Sequence, residues 1–441
     1  MSLAFAGILL AALIAQALWP GARLRVVVSG AALSCLLASL RGVSTTARLF
    51  AAVPWDVLTI LVGLGVVTEV LVASRLFSLM AVRVTRATGA RPWRFALTFA
   101  LVMYVVSGLV NNLTALLLVL PVMLVVFRVL GVTQRFLSLT LGLLLVACNL
   151  GGAATPIGDF PAILLLGRGA MRFGVYLTAA APRTALALAL VVVALSWRRQ
   201  ASPRDGTEAL RAALTVNTLE ALHRGIRIDR RYLLPGAAAL AAMLLGWVLI
   251  PASTGIGPEL ICWLGAALSL LGAGKVGETI ARRRVDVEAV LFLLSLFVMV
   301  GAARESHLFT DIARWLTALP LSPAAQVVVF LVAAALLTGV FSAGPSMAAL
   351  LDVADALARQ HPREARDALY VGLAMSVCAG SSLFLTAATA GPLTQSLIER
   401  AGLRGPDGEP LRFGFREYLP VGLVAFALIL SVGIASTLAA L

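Results

Sequence analysis

The sequence predicts an all-α polytopic membrane protein of two inverted-topology repeats, each with about five spans, a re-entrant hairpin and a discontinuous helix. Three observations point there. Of 441 residues, 60% are hydrophobic and only 13% charged, where a soluble globular chain carries about 25% charge. The apolar runs approach the roughly 20 residues that a helix needs to cross a bilayer. The chain also repeats its own pattern after a shift of about 230 residues.

Taken in order, apolar runs cover 3–18, 24–41, 57–73, 95–110, 113–130, 136–150 and 175–197, then 232–250, 258–273, 287–303, 324–341, 346–357, 368–380 and 418–440. The first run ends in Ala15-Gln16-Ala17 like a secretion signal, but no basic residue precedes it, so it is read as a first membrane helix. The stretch Phe77 to Ala87, with Arg83 and Arg86 among apolar residues, reads as an interfacial amphipathic helix. One long polar segment, Arg198 to Arg231, holds eight arginines. It divides the chain into a first transmembrane repeat (1–197), a basic cytoplasmic linker (198–231) and a second transmembrane repeat (232–441).

The halves align at five places in one order. Asp56-Val57 matches Asp286-Val287, and Ser74-Arg75-Leu76-Phe77 matches Ser306-His307-Leu308-Phe309. Ser107-Gly108 falls on Thr338-Gly339, Cys148 on Cys378, and Arg172-Phe173-Gly174 on Arg412-Phe413-Gly414. Each half also breaks its apolar runs twice with small and polar residues: Ser107 to Thr114 and Asn149 to Asp159, then Ser342 to Ser346 and Gly380 to Thr389. Backbone that leaves the helix at membrane depth costs several kcal/mol per unpaired polar group unless protein or a water-filled cavity satisfies it. Four breaks in corresponding places point to a transporter's binding site. With 95–128 as a hairpin tipped by Asn111 and Asn112, and 136–168 as a helix interrupted at Gly151-Gly152, each half has an odd number of spans, so the second is inverted.

The net charge of +14 invites a nucleic-acid partner, but its distribution reports topology instead. With the 198–231 loop inside, 25 of the 35 basic residues fall on the cytoplasmic side, as the positive-inside rule requires, and both termini lie outside. Cys35, Cys148, Cys262 and Cys378 sit in or beside apolar runs without a CxxC pair, and His223, His307 and His361 lie in polar segments. A zinc or haem site has little to build on. The chain holds no nucleotide-binding GxxxxGK[ST] loop and no nucleophile–base pair at membrane depth, so an enzyme is not the expectation. No cofactor is expected beyond Na⁺ or H⁺ as coupling ion.

The breaks supply the candidate site residues. Around the first, Ser107, Asn111, Asn112 and Thr114 offer amides, hydroxyls and freed carbonyls to Na⁺, and the following helix N-terminus offers N–H groups to an anion; alternatively the asparagines cap a helix. In Asn149-Leu150-Gly151-Gly152-Ala153-Ala154-Thr155-Pro156-Ile157-Gly158-Asp159 the paired glycines relax the backbone, Pro156 stops a helix, and Asn149, Thr155 and Asp159 bring polar groups; alternatively the stretch is a kinked helix packed through small residues. In the second half Ser342, Gly344, Pro345, Ser346, Gly380, Ser381, Ser382 and Thr386 either line a polar pocket or form small-residue helix contacts. Intramembrane acids are costly and functional by default. Glu69, Asp159, Asp352 and Asp355 are such acids, and Asp159, beside the break, is either the coupling carboxylate or the N-cap of a helix from Phe160 to Leu166.

The Asn149–Asp159 stretch, followed by Phe173-Gly174-Val175-Tyr176-Leu177, resembles the signature of the ion transporter superfamily, which includes divalent anion/sodium symporters, citrate transporters, arsenite-efflux permeases and a class of sodium/proton antiporters. The Asn111-Asn112-Leu113 stretch resembles the hairpin-tip motif of its sodium-coupled anion members, and Trp55-Asp56-Val57 with its echo at Asp286 extends the likeness over most of the chain. The resemblance implies two inward-pointing hairpins and two broken helices around a substrate and a coupling ion, with Asn111, Asn112, Asn149, Gly151 and Thr155 as residues of the first Na⁺ site. It also implies a homodimer. Two departures bear on the second ion site: Ser342 to Ser346 lacks the family's asparagine, and Phe160-Pro161-Ala162 stands where the family has proline-proline-asparagine. The function expected is Na⁺- or H⁺-coupled transport of a carboxylate or inorganic oxyanion by alternating access across a bacterial inner membrane. The alternative is sodium/proton antiport or arsenite-type efflux.

Overall fold

In a bilayer each backbone N–H and C=O must be paired inside its own segment, so long apolar runs become helices. The computed structural model describes residues 2–18, 22–76, 79, 83, 92–110, 112–196, 228–250, 254–284, 287–341, 343–359, 361–388 and 390–441. Among these it is all helix, apart from one isolated bridge between Arg404 and Pro410.

Four helices precede the first gap: α1 (Ser2–Leu18), α2 (Arg23–Leu40), α3 (Thr46–Ala51) and α4 (Trp55–Ala73). Then come α5 (Pro92–Ser107), α6 (Asn112–Leu130), α7 (Gln134–Ala154), α8 (Phe160–Gly167) and α9 (Phe173–Ser196). Beyond the basic linker lie α10 (Arg230–Leu249), α11 (Pro258–Arg284), α12 (Val287–Glu305) and α13 (Leu308–Thr317). The chain closes with α14 (Pro323–Phe341), α15 (Ala343–Ala358), α16 (Arg363–Ser381), α17 (Ala390–Ala401) and α18 (Phe415–Leu438). Seven described helices are long and apolar enough to cross a membrane, and eight if α12 and α13, bent by 63° to one another, count as one. The interfacial helix read at Phe77 to Ala87 lies outside the described residues except for Leu79 and Arg83, and so does the linker from 198 to 227.

The helices pack as two groups, and each group mixes the halves. In one, α4 packs on α11, α11 on α10, α2 on α12, and α1 on α2 and α12. In the other, α5 packs on α7, α14 on α16, α7 and α18 on α9, and α15 and α18 on α16. The second group contains all four interrupted regions. Its centre is α7 and α16, whose residues Thr140–Ala154 and Val371–Ser381 are buried without exception.

Corresponding places in the halves share geometry. Among the described residues, the two non-glycine residues with left-handed backbone, Arg75 (φ 61°) and His307 (φ 60°), are aligned in sequence, each one residue past a serine whose hydroxyl donates to a carbonyl three residues back: Ser74 to Leu71 and Ser306 to Ala303.

Candidate functional site

The break in the first half falls four residues later than its paired glycines suggest. Helix α7 continues through Gly151 and Gly152 to Ala154, and Thr155 leaves it at φ −125°, ψ 153°. Glycine costs a helix only about 1 kcal/mol, whereas the ring of Pro156 disfavours helical geometry in the residue before it, and Thr155 has left the helix. The glycines serve contact instead. A side chain at Gly151 would collide with the backbone carbonyl of Tyr104 in α5, and one at Gly152 with the amide of Asn112 and the Cβ of Asp159. At Gly158 it would strike Gly152 and the carbonyl of Ser107.

These contacts gather four helix ends. The C-terminus of α5 and the N-terminus of α6 meet the C-terminus of α7 and the N-terminus of α8. Ser107 Oγ donates to Asn112 Oδ1 and, at 2.7 Å, to the Cys148 carbonyl. Cys148 Sγ lies 3.4 Å from the Asn112 carbonyl, which accepts from it. The Asn112 side chain also hydrogen-bonds Asp159. Asp159 Oδ1 accepts from the Phe160 N–H at 2.9 Å, so the residue is the N-cap of α8 while its carboxylate faces the cluster. Thr155 Oγ1 donates to the Gly108 carbonyl at 2.6 Å, tying the chain after the break to the turn before α6. Pro156 is buried beneath this turn and Thr114 is half-buried in the first turn of α6. Asn111 lies outside the described residues.

In the second half α16 ends at Ser381, and the chain runs in turns and bends from Ser382 through Ala388. The two breaks meet: Asn149 Nδ2 donates to the Ser381 carbonyl at 3.2 Å and to Ser382 Oγ at 3.1 Å. Gly380 presses on α14 as Gly151 presses on α5, since a side chain there would collide with the Ala335 carbonyl. Ser381 Oγ is turned back onto the Cys378 carbonyl at 3.0 Å. Gly344, Pro345 and Ser346 are buried in the first turn of α15, and Ser346 Oγ has no hydrogen-bond partner among the described residues. Ser342 lies outside the described residues. Thr386 is exposed and does not join the cluster.

Residues not singled out from the sequence complete the site. Two tyrosines satisfy carbonyls that the breaks strip of helical partners: Tyr176 Oη donates to Ala153 O at 2.9 Å and Tyr418 Oη to Ser382 O at 2.8 Å. Tyr104 Oη lies 2.9 Å from Thr184 Oγ1, holding α5 on α9. Of the remaining acids, Asp352 pairs with Arg168 and Arg304, and Asp355 accepts from Tyr370 Oη at 2.7 Å. Among the described residues no group of three or more His, Cys, Asp or Glu side chains is placed to hold a metal ion.

The cluster presents carbonyls and a carboxylate to a cation, and the N-termini of α6 and α8 to an anion. Thr155→Val removes the bond to Gly108 and strands that carbonyl, with an expected loss of about 1–3 kcal/mol; Thr155→Ser retains it. Thermal unfolding of the two variants in detergent measures the difference.

Residues 8–377 match the protein family described as citrate transporter. An uncharacterized transporter of Mycobacterium tuberculosis is 28% identical over 355 residues, 80% of either chain. The magnetosome protein MamN of Paramagnetospirillum magneticum is 25% identical over 418 residues, 92% of either chain. Among solved structures, the YdaH transporter of Alcanivorax borkumensis has a similar fold, with a TM-score of 0.50 at 18% identity over 89% of this chain and 86% of that one.

Proposed function

The chain belongs to the citrate transporter family, and from that premise we propose that it moves a carboxylate or inorganic oxyanion across a bacterial inner membrane, driven by Na⁺ or H⁺. One observation carries the reading: both interrupted helices end at the same place, where Asn149 bridges to Ser381 and Ser382 while Asn112 and Asp159 meet over Gly152. Irregular backbone at membrane depth is tolerated where it holds a transported ion. Asn112, Asp159 and the freed carbonyls near Gly108 and Gly152 form the coupling-ion site, with Asn111 at the adjoining hairpin tip. Ser346, Ser381 and Ser382 line the facing side.

The halves 1–197 and 232–441 are inverted repeats. The aligned left-handed residues Arg75 and His307 support this, as does the matched pressing of Gly151 and Gly380 on α5 and α14. Alternating access then moves the group of α5–α9 and α14–α18 against the group of α1–α4 and α10–α12. The charge distribution supports a cytoplasmic 198–231 loop with both termini outside. Sodium/proton antiport or arsenite-type efflux is the second reading, favoured by the carboxylate of Asp159 inside the cluster.

Uptake of radiolabelled citrate, sulfate and arsenite into proteoliposomes, under imposed Na⁺ and pH gradients, tests both. Accumulation of an anion that collapses with the cation gradient is the expected result. Failure of every ion to move under any gradient overturns the transporter site described here.

A further inference from the structure

We propose that Arg304 and Asp352 form a releasable ionic latch between the two packed groups, and that they are positioning residues setting which side of the membrane the site faces. Asp352 lies in α15, nine residues from its start, on the helix that opens at the second-half break. Its carboxylate is only 15% exposed and has two arginine partners. Arg168, the C-cap of α8, donates through Nη1 at 2.9 Å, and α8 packs on α15 and α16 as well as on α4 of the other group. Arg304, in the last turn of α12, donates through Nε at 2.9 Å and through Nη2, and α12 belongs to the other group.

The unequal partners explain how such a contact opens. A buried carboxylate that loses its sole cation is left as an uncompensated charge, a penalty large enough to lock the contact. Here the inner partner, Arg168, stays with Asp352 when the groups separate, while Arg304, 40% exposed, withdraws into water. The outer bond therefore breaks at low cost. Arg304 also stands one turn before the 63° bend between α12 and α13, where His307 adopts left-handed backbone. Helix α13 packs directly on α15, so the bend joins one group to the hairpin of the other beside the latch.

This inference rests on the movement proposed above for its role in transport, but its test needs no substrate. Hydrogen–deuterium exchange is measured on the full-length protein in nanodiscs for wild type, Arg304→Gln and Arg304→Lys. Arg304→Gln is expected to speed exchange about five-fold in α13 and in the last turns of α12 and α15, the scale of one partly exposed ion pair, with Thr140–Ala154 and Val371–Ser381 unchanged. Arg304→Lys keeps the charge but loses the two-pronged contact, and is expected to give exchange between wild type and Arg304→Gln. Unchanged exchange in Arg304→Gln overturns the latch, and so does acceleration spread equally through α7 and α16, which marks a merely structural contact. Failure of any ion to move in proteoliposomes would leave this result standing, so the two readings fail separately.

Discussion

Replacing Asn112 by alanine is expected to lower transport by about 100-fold, the top of the range for removing a polar partner of a bound ion, while the protein still folds and inserts. The side chain joins Ser107, at the end of α5, to Asp159, at the start of α8, across Gly152. Its loss leaves no polar group stranded: Ser107 keeps the Cys148 carbonyl, and Asp159 keeps the Phe160 N–H. The expected stability cost is therefore that of an ordinary hydrogen bond, about 1 kcal/mol. The ion, by contrast, loses an oxygen at the one place where two helix N-termini and two C-termini meet. Asn112→Asp is expected to be as inactive, since it sets a second carboxylate against Asp159 and like charges at that range disfavour joint ionisation. Uptake into proteoliposomes, with thermal unfolding of the same preparations, reads both quantities. Wild-type uptake by Asn112→Ala removes the first-half break from the transport site.

The fold was legible because lipid leaves so few solutions: each apolar run had to become a helix, and the described helices follow those runs closely. The break regions were legible as regions, since glycine, proline and paired polar residues interrupt apolar sequence for few other reasons. Their internal geometry was not. Gly151-Gly152 looks like the weakest point of α7, but the rule that governs is the one acting on Thr155 through Pro156, and the glycines prove to be surfaces for Tyr104 and Asn112. Tyr418 carried no signal of its own, and Tyr176 none beyond its place in the Phe173–Leu177 stretch, because a tyrosine that satisfies a stripped carbonyl reads as an apolar residue until the carbonyl is located. Asp352 was visible as a costly acid, yet its partners lie 184 and 48 residues away in sequence. No periodicity joins residues so far apart. The division into two packed groups that cut across the two halves of the chain is invisible for the same reason.

The glycines that carry the site's geometry give the second large effect. Gly151→Val and Gly380→Val are each expected to abolish the folded protein, because the atoms in the way, the carbonyls of Tyr104 and Ala335, are backbone and cannot turn aside. The helices must instead separate, which forfeits contacts along the whole of α5 on α7 or α14 on α16. Overpacking of a core typically costs about 1–3 kcal/mol even where side chains yield, so alanine at either position is expected to cost at least that much and valine more. Gly65 supplies the opposite sign. It lies within α4 with nothing inside 4 Å of where its Cβ would stand, so Gly65→Ala is expected to stabilise by about 0.5–1 kcal/mol through helix propensity alone. Thermal unfolding and the monodisperse yield from membranes rank the variants. If Gly151→Ala and Gly380→Ala unfold at the wild-type temperature, neither helix pair is in close contact. A loss at one position without the other shows that the two close approaches, which fall one residue apart when Cys148 is set on Cys378, are not equivalent.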